Sequence, residues 1–171
     1  MKVLLTFVVL LLMFAGLSKD LAGYRKTMDA AVDDSKVAEE MYADFRRFPE
    51  NGQAILVGYR AISEMLMSKH VFNPISKVSY FRRGKRLLEK AITSEPENTE
   101  LIFLRYTTQV SVPSLLNYSG NLEADEQSLL AYLKKVSSRS SDQDLYNRIK
   151  IYMLQSERLS AIEKNTIKNL P

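Results

Sequence analysis

The chain has 171 residues, 46% of them hydrophobic and 26% charged, with 24 Lys+Arg against 20 Asp+Glu. That mixture belongs to an ordinary globular chain, and the length suits a single domain. With no cysteine and one histidine, His70, the composition excludes disulfides, thiolate nucleophiles and metal sites built from cysteine or several histidines.

Met1-Lys2 gives a short positive start, and Val3 to Leu17 follows without a charge, Thr6 being its one hydroxyl side chain. The run falls short of the ~20 apolar residues that a membrane-spanning helix needs. It fits a secretory signal peptide over residues 1–18, with Gly16 and Ser18 as the small residues before a cut after Ser18. The expectation is a single domain over residues 19–171, periplasmic or secreted. An uncut leader would instead tether the domain to the inner membrane. The net charge of +4 is a weak excess and carries no nucleic-acid footprint.

Beyond the leader, apolar residues recur at helical spacing with little strict alternation. Pro49, Pro74, Pro96 and Pro113 fall between amphipathic segments, where a missing N–H does no harm. The segments run roughly over 20–47, 53–70, 74–94, 98–111, 121–137 and 142–167. Asn73-Pro74 reads as an N-cap followed by proline at the first helical position. Asn121 is a candidate cap, with Glu123, Asp125 and Glu126 at the positive end of the helix dipole. Ser140 with Gln143 forms a possible capping box. In 74–94, Val78, Phe81, Leu88, Ala91 and Ile92 share a face with Gly84, a candidate point of close helix approach, while Arg82, Arg83, Arg86 and Lys90 lie mostly opposite. In 142–167, Leu145, Ile149, Tyr152, Leu159 and Ile162 form a broad stripe. Each helix has one face to bury and needs a neighbour.

Pro49-Glu50-Asn51 recurs 47 residues later as Pro96-Glu97-Asn98, and five of the eleven positions from Pro49 to Tyr59 are identical in the second copy. Ile55 pairs with Ile102 and Tyr59 with Tyr106. Upstream, Met41 and Phe45 correspond to Leu88 and Ile92. The unit is helix, turn, helix, and a period of this size points to a stacked helical array. Here the chain resembles the tetratricopeptide-repeat (TPR) family. Gly84, Leu88, Ala91 and Pro96 match the spacing of that repeat's second helix and exit turn, and Gly58 resembles its small first-helix position. The stretch from Gly58 to Pro96 is longer than the repeat allows, the extra length falling around Val71–Ser76. The chain is also similar to TPR-like exported bacterial proteins through Asn73-Pro74, Tyr80, Gly84 and the run from Pro96 to Arg105. The resemblance implies an all-α stack of antiparallel hairpins, about six helices with the last as a cap, and brings no activity with it.

Catalytic patterns are missing from the sequence: there is no GxGxxG, P-loop, HExxH or GxSxG. Carboxylate chemistry around Glu64 or Glu40 is the only basis left for an enzyme, so the reading is a non-enzyme without cofactor or metal. The acidic stretch Asp29, Asp33, Asp34, Glu39, Glu40 lacks calcium-loop spacing. His70, at a helix C-terminus, reads as a joint residue. The run Arg82-Arg83-Gly84-Lys85-Arg86 is either a solvated face or a surface for an acidic partner or anionic lipid. Arg105 reads as a buried guanidinium that needs a carboxylate, Glu64 being a candidate. Tyr59 and Tyr106 are either core or, with Arg60 and Arg105, the first-helix face on which a protein or peptide partner docks as an extended or helical segment.

Overall fold

The computed structural model describes residues 21–136 and 140–170. The expected leader and its cleavage point lie outside the described residues. Among the described residues there is no strand. Eight α-helices follow one another: α1 (21–33), α2 (Ser35–Phe45), α3 (Ala54–His70), α4 (Pro74–Ser94), α5 (Thr99–Ser111), α6 (Leu122–Val136), α7 (Gln143–Gln155) and α8 (Ala161–Lys168), with a 3-10 turn at Ser114–Leu116. None of these helices is long and apolar enough to cross a membrane.

The all-α class is as expected, but two of the six expected segments are each broken in two. The first break is at Asp34, whose backbone is extended and whose carboxylate accepts the Lys36 and Val37 N–H groups at 2.8 and 3.2 Å. An aspartate that satisfies two orphan donors starts a new helix in the middle of an otherwise helical run. The second is at Ser156–Ser160, where Ser160 and Glu163 form a capping box at the start of α8. At the start of α7 the cap is Asp142, which accepts from Leu145 N–H at 3.0 Å. The expected cap, Ser140, instead uses its hydroxyl to accept from Asp142 N–H. Asn73 caps α4 as expected, with Pro74 in its first turn. Asn98 caps α5, whereas its repeat counterpart Asn51 lies outside the cap of α3, which is Gln53 without a side-chain bond.

Two glycines set how closely the helices approach. A Cβ on Gly84 would stand 2.6 Å from Met65 Cγ and 2.7 Å from the Ala61 carbonyl of α3, and one on Gly58 would stand 2.3 Å from Leu101 Cδ2 of α5. The α3–α4 hairpin and the α3–α5 contact therefore depend on small residues at the points of crossing.

Two apolar cores result. The first unites α1–α4 with Leu101 and Leu104 of α5, and the second unites Phe103 and Tyr106 of α5 with α6, α7 and α8. Helix α5 thus lies between the cores and gives each a different stripe of its surface. The chain also turns back on itself, because α7 reaches α1. Arg25 of α1 bonds Asp142 and Asp144 at 2.6–3.0 Å, and Arg148 of α7 bonds Asp29 of α1 at 2.8 and 3.1 Å.

Candidate functional site

Of the four residues expected to meet a partner, Tyr59, Arg105 and Tyr106 are buried and Arg60 is half-buried. Tyr59 and Tyr106 are both 0% exposed. The Tyr59 hydroxyl donates to Glu100, and the Tyr106 hydroxyl donates to Glu126 at 2.7 Å. Burial and the neighbouring carboxylates push both phenols up, Tyr106 to about 12. Arg60 donates to the Phe48 carbonyl at 2.6 Å and lies 3.5 Å from Glu50, so it braces the α2–α3 turn. Arg105 is bidentate on Asp125, with both bonds at 2.7 Å, and bonds Glu89 at 2.9 Å. Docking on Tyr59 and Tyr106 is therefore corrected, since neither reaches the surface; Arg105 is held by carboxylates of α4 and α6, and the half-buried Arg60 keeps an unbonded Nε. The carboxylate proposed for Arg105 is corrected as well. Glu64 pairs with Arg83 at 3.0 Å, because it lies on the α4 side of α3 while Arg105 faces α4 and α6.

The same chemistry recurs around Arg25, which sequence reasoning passed over. Its guanidinium is bidentate on Glu100 and reaches Asp142 and Asp144. Burial by itself would lower the guanidinium pKa, but the three carboxylates outweigh it and raise it. At Asp142 burial acts upward, yet the bonds from Arg25 and Leu145 N–H hold the carboxyl below its usual range. The hint lay in α1, where a long cation sits on the stripe of Leu21, Tyr24, Met28 and Ala31, a stripe that buries what it carries.

The surface feature that does unite the two repeat units is a groove of about 930 Å³. Its walls come from Met28 and Val32 (α1), Met65 and Leu66 (α3), Phe81 (α4), Phe103 (α5) and Ile151 and Tyr152 (α7). The polar groups on its α5 wall are already satisfied. Thr107 and Thr108 both donate to the Leu104 carbonyl, at 3.1 and 2.7 Å, and Ser111 donates to the Thr107 carbonyl at 2.7 Å. Each hydroxyl turned back onto its own helix leaves mainly carbon facing the groove. At the rim stand Asp29, Lys69, Lys77 and Arg148. Arg148 is held by Asp29 and Asp144, and Lys69 by Asp33 and the Val32 carbonyl. The arrangement can exclude water from an apolar guest, but it offers few directed hydrogen bonds.

His70 sits at the end of α3, and its Nε2 is 2.8 Å from the Ala31 carbonyl, which fits the joint-residue reading. No group of three metal-ligating side chains converges among the described residues. Comparison with protein-family models, with curated proteins and with solved structures finds no match to this chain.

Proposed function

We propose that this protein is an exported binding module, a scaffold without catalytic activity, whose groove takes a helical segment of a partner protein. One observation carries the reading: a groove of about 930 Å³ lined mainly by carbon from both repeat units. An extended peptide would bury backbone N–H and C=O groups against walls with few free partners, at a cost of about 1–3 kcal/mol each. A helix satisfies its own backbone and needs only apolar contact. The partner is therefore a protein presenting an amphipathic helix, and nucleic acid has no part in it. The TPR-like reading of residues 36–137 is supported by the repeated turn and by Gly58 and Gly84 at helix crossings. The leader at residues 1–18 supports export to the periplasm or beyond.

A photo-crosslinking residue at Thr107 in the groove and another at Ala43, exposed on α2, test the reading in intact cells. The expected result is one discrete protein adduct at position 107, absent at 43 and lost when Leu66→Asp charges the groove wall. Identical adducts at both positions, or none at 107, overturn it.

A further inference from the structure

The run of cations singled out in the sequence belongs to a longer stretch with an unusual balance. From Met65 to Leu88 there is no acidic residue, while Lys69, Lys77, Arg82, Arg83, Lys85 and Arg86 all fall within it. The tertiary structure separates these cations. Arg83 is paired with Glu64, Arg86 with Glu50 and Lys69 with Asp33, and Lys85 stands over the Tyr118 ring. Lys77 and Arg82 are exposed and have no ion pair among the described residues.

Between those two free cations and the end of α3 lies the three-residue joint Val71–Asn73. Phe72 there is 98% exposed and Ile75, in the first turn of α4, is 82% exposed. The joint is well ordered by its own bonds. Val71 N–H donates to the Met67 carbonyl, and the Asn73 side chain accepts Ile75 and Ser76 N–H at 2.8 and 3.2 Å. Arg82 shares a shallow depression with Pro74, Ile75 and Val78, and Lys77 borders the groove beside Pro74 and Val78. Leu115, 92% exposed, lines that same groove and extends the apolar patch.

Large apolar side chains grouped in water mark a contact surface. These two project from a hairpin tip, so a protein partner would need a cavity shaped to receive them, whereas a bilayer yields to any convex apolar tip. The unpaired cations beside them, with no carboxylate nearby in the chain, favour negative headgroups. We propose that the α3–α4 tip docks on an anionic lipid bilayer, with Phe72 and Ile75 entering the headgroup–acyl boundary and Lys77 and Arg82 on the headgroups. Side chains in this position reach about 5–10 Å below the headgroups. The tip adjoins the groove through Lys77 and Leu115, but this inference does not rest on a helical partner.

Because the chain has no cysteine, a single introduced thiol carries the only label. A solvent-sensitive fluorophore is attached at Ile75→Cys and, separately, at Ala43→Cys, near the opposite end of α3. Each full chain is mixed with vesicles of phosphatidylcholine alone or with about one third phosphatidylglycerol. The expected result is a blue shift at position 75 with the anionic vesicles only, and none at position 43. Lys77→Gln with Arg82→Gln should weaken partitioning roughly 30-fold, about 5-fold for each cation near the surface. Three results overturn the proposal. One is a label at 75 that stays in water while the chain floats with the vesicles, which would place any membrane binding away from the tip. The second is an equal response to phosphatidylcholine or at position 43. The third is no response to vesicles at all, the outcome a protein-binding tip would give.

Discussion

Tyr59 and Tyr106 hold equivalent places in the repeat, and each donates its phenol to a buried carboxylate on a neighbouring helix. Around them the two halves differ. In the first half Glu100 is bonded by Arg25, whose side chain is 2% exposed and which also ties down the start of α7. In the second half Glu126 is bonded by Arg158, whose side chain is 39% exposed. The repeat reproduced the tyrosine and its carboxylate but drew the cation from wherever the chain placed one: from upstream in one half and from the α7–α8 joint in the other. The comparison teaches that one sequence motif can specify a hydrogen bond without specifying how deeply its charge is enclosed.

Removing the two cations should separate the halves most sharply. Arg25→Met leaves Glu100 enclosed without its cation and is expected to destabilise by about 3–5 kcal/mol. Arg158→Met removes a cation that is itself 39% exposed, so water can replace it at Glu126, and the expected cost is smaller, about 1–3 kcal/mol. Urea midpoints of the two variants measure the difference, and equal costs would remove the distinction drawn here.

The glycines test the two helix crossings, with effects in the range of the tyrosines' or below. At Gly84 an added Cβ meets the Ala61 carbonyl, backbone that cannot rotate away, and Gly84→Ala is expected to cost about 1–3 kcal/mol. At Gly58 the clash is with the end of the Leu101 side chain, which can turn. The gain of about 0.8–1 kcal/mol in helix propensity offsets part of that cost, so Gly58→Ala should be the milder change by thermal melting.

Tyr59→Phe and Tyr106→Phe each remove one bond to a carboxylate, expected at about 1.5–3 kcal/mol. The Tyr59 variant should be the more costly, because its carboxylate is shared with the enclosed Arg25. A double-mutant cycle of each tyrosine with its arginine reads that coupling.

The smallest effect is in pH. Asp142 has a folded value held below its usual 3.8, so its pair with Arg25 contributes fully above that value and is lost as pH falls through the folded one. Asp142→Asn keeps an oxygen to cap α7 but loses the charge. The stability gap between parent and variant should be constant from about pH 5 upward and close below pH 3.8, as read from denaturant midpoints. A gap that persists in acid would mean that the charge of Asp142 is not what ties α7 to α1.

Much of the fold was legible in local pattern, and the misses have physical causes. The prolines marked the joints because a missing N–H is tolerated only there, and Gly84 marked a crossing because only a hydrogen fits. The break at Ser160 was readable from Ser160-x-x-Glu163, yet it was masked by the apolar stripe running through it. Asp34 was hidden in an acidic stretch whose spacing carried no motif. The candidate site fared worse. Tyr59 and Tyr106 stand fully inside and Arg105 lies between carboxylates of two helices, because amphipathic spacing does not tell a groove wall from a core.

What the sequence by itself determined was the helical class, the positions of the joints, the repeated turn and the presence of a leader-like segment, all properties set within a few residues of one another by periodicity, caps and proline. What only the tertiary structure decided was which carboxylate each arginine meets, which face of α5 joins which core, and which apolar residues remain in water. Phe72 and Leu104 are both large apolar residues at helical edges or faces. One stands in solvent and the other in the core because side chains distant in sequence either cover the position or do not.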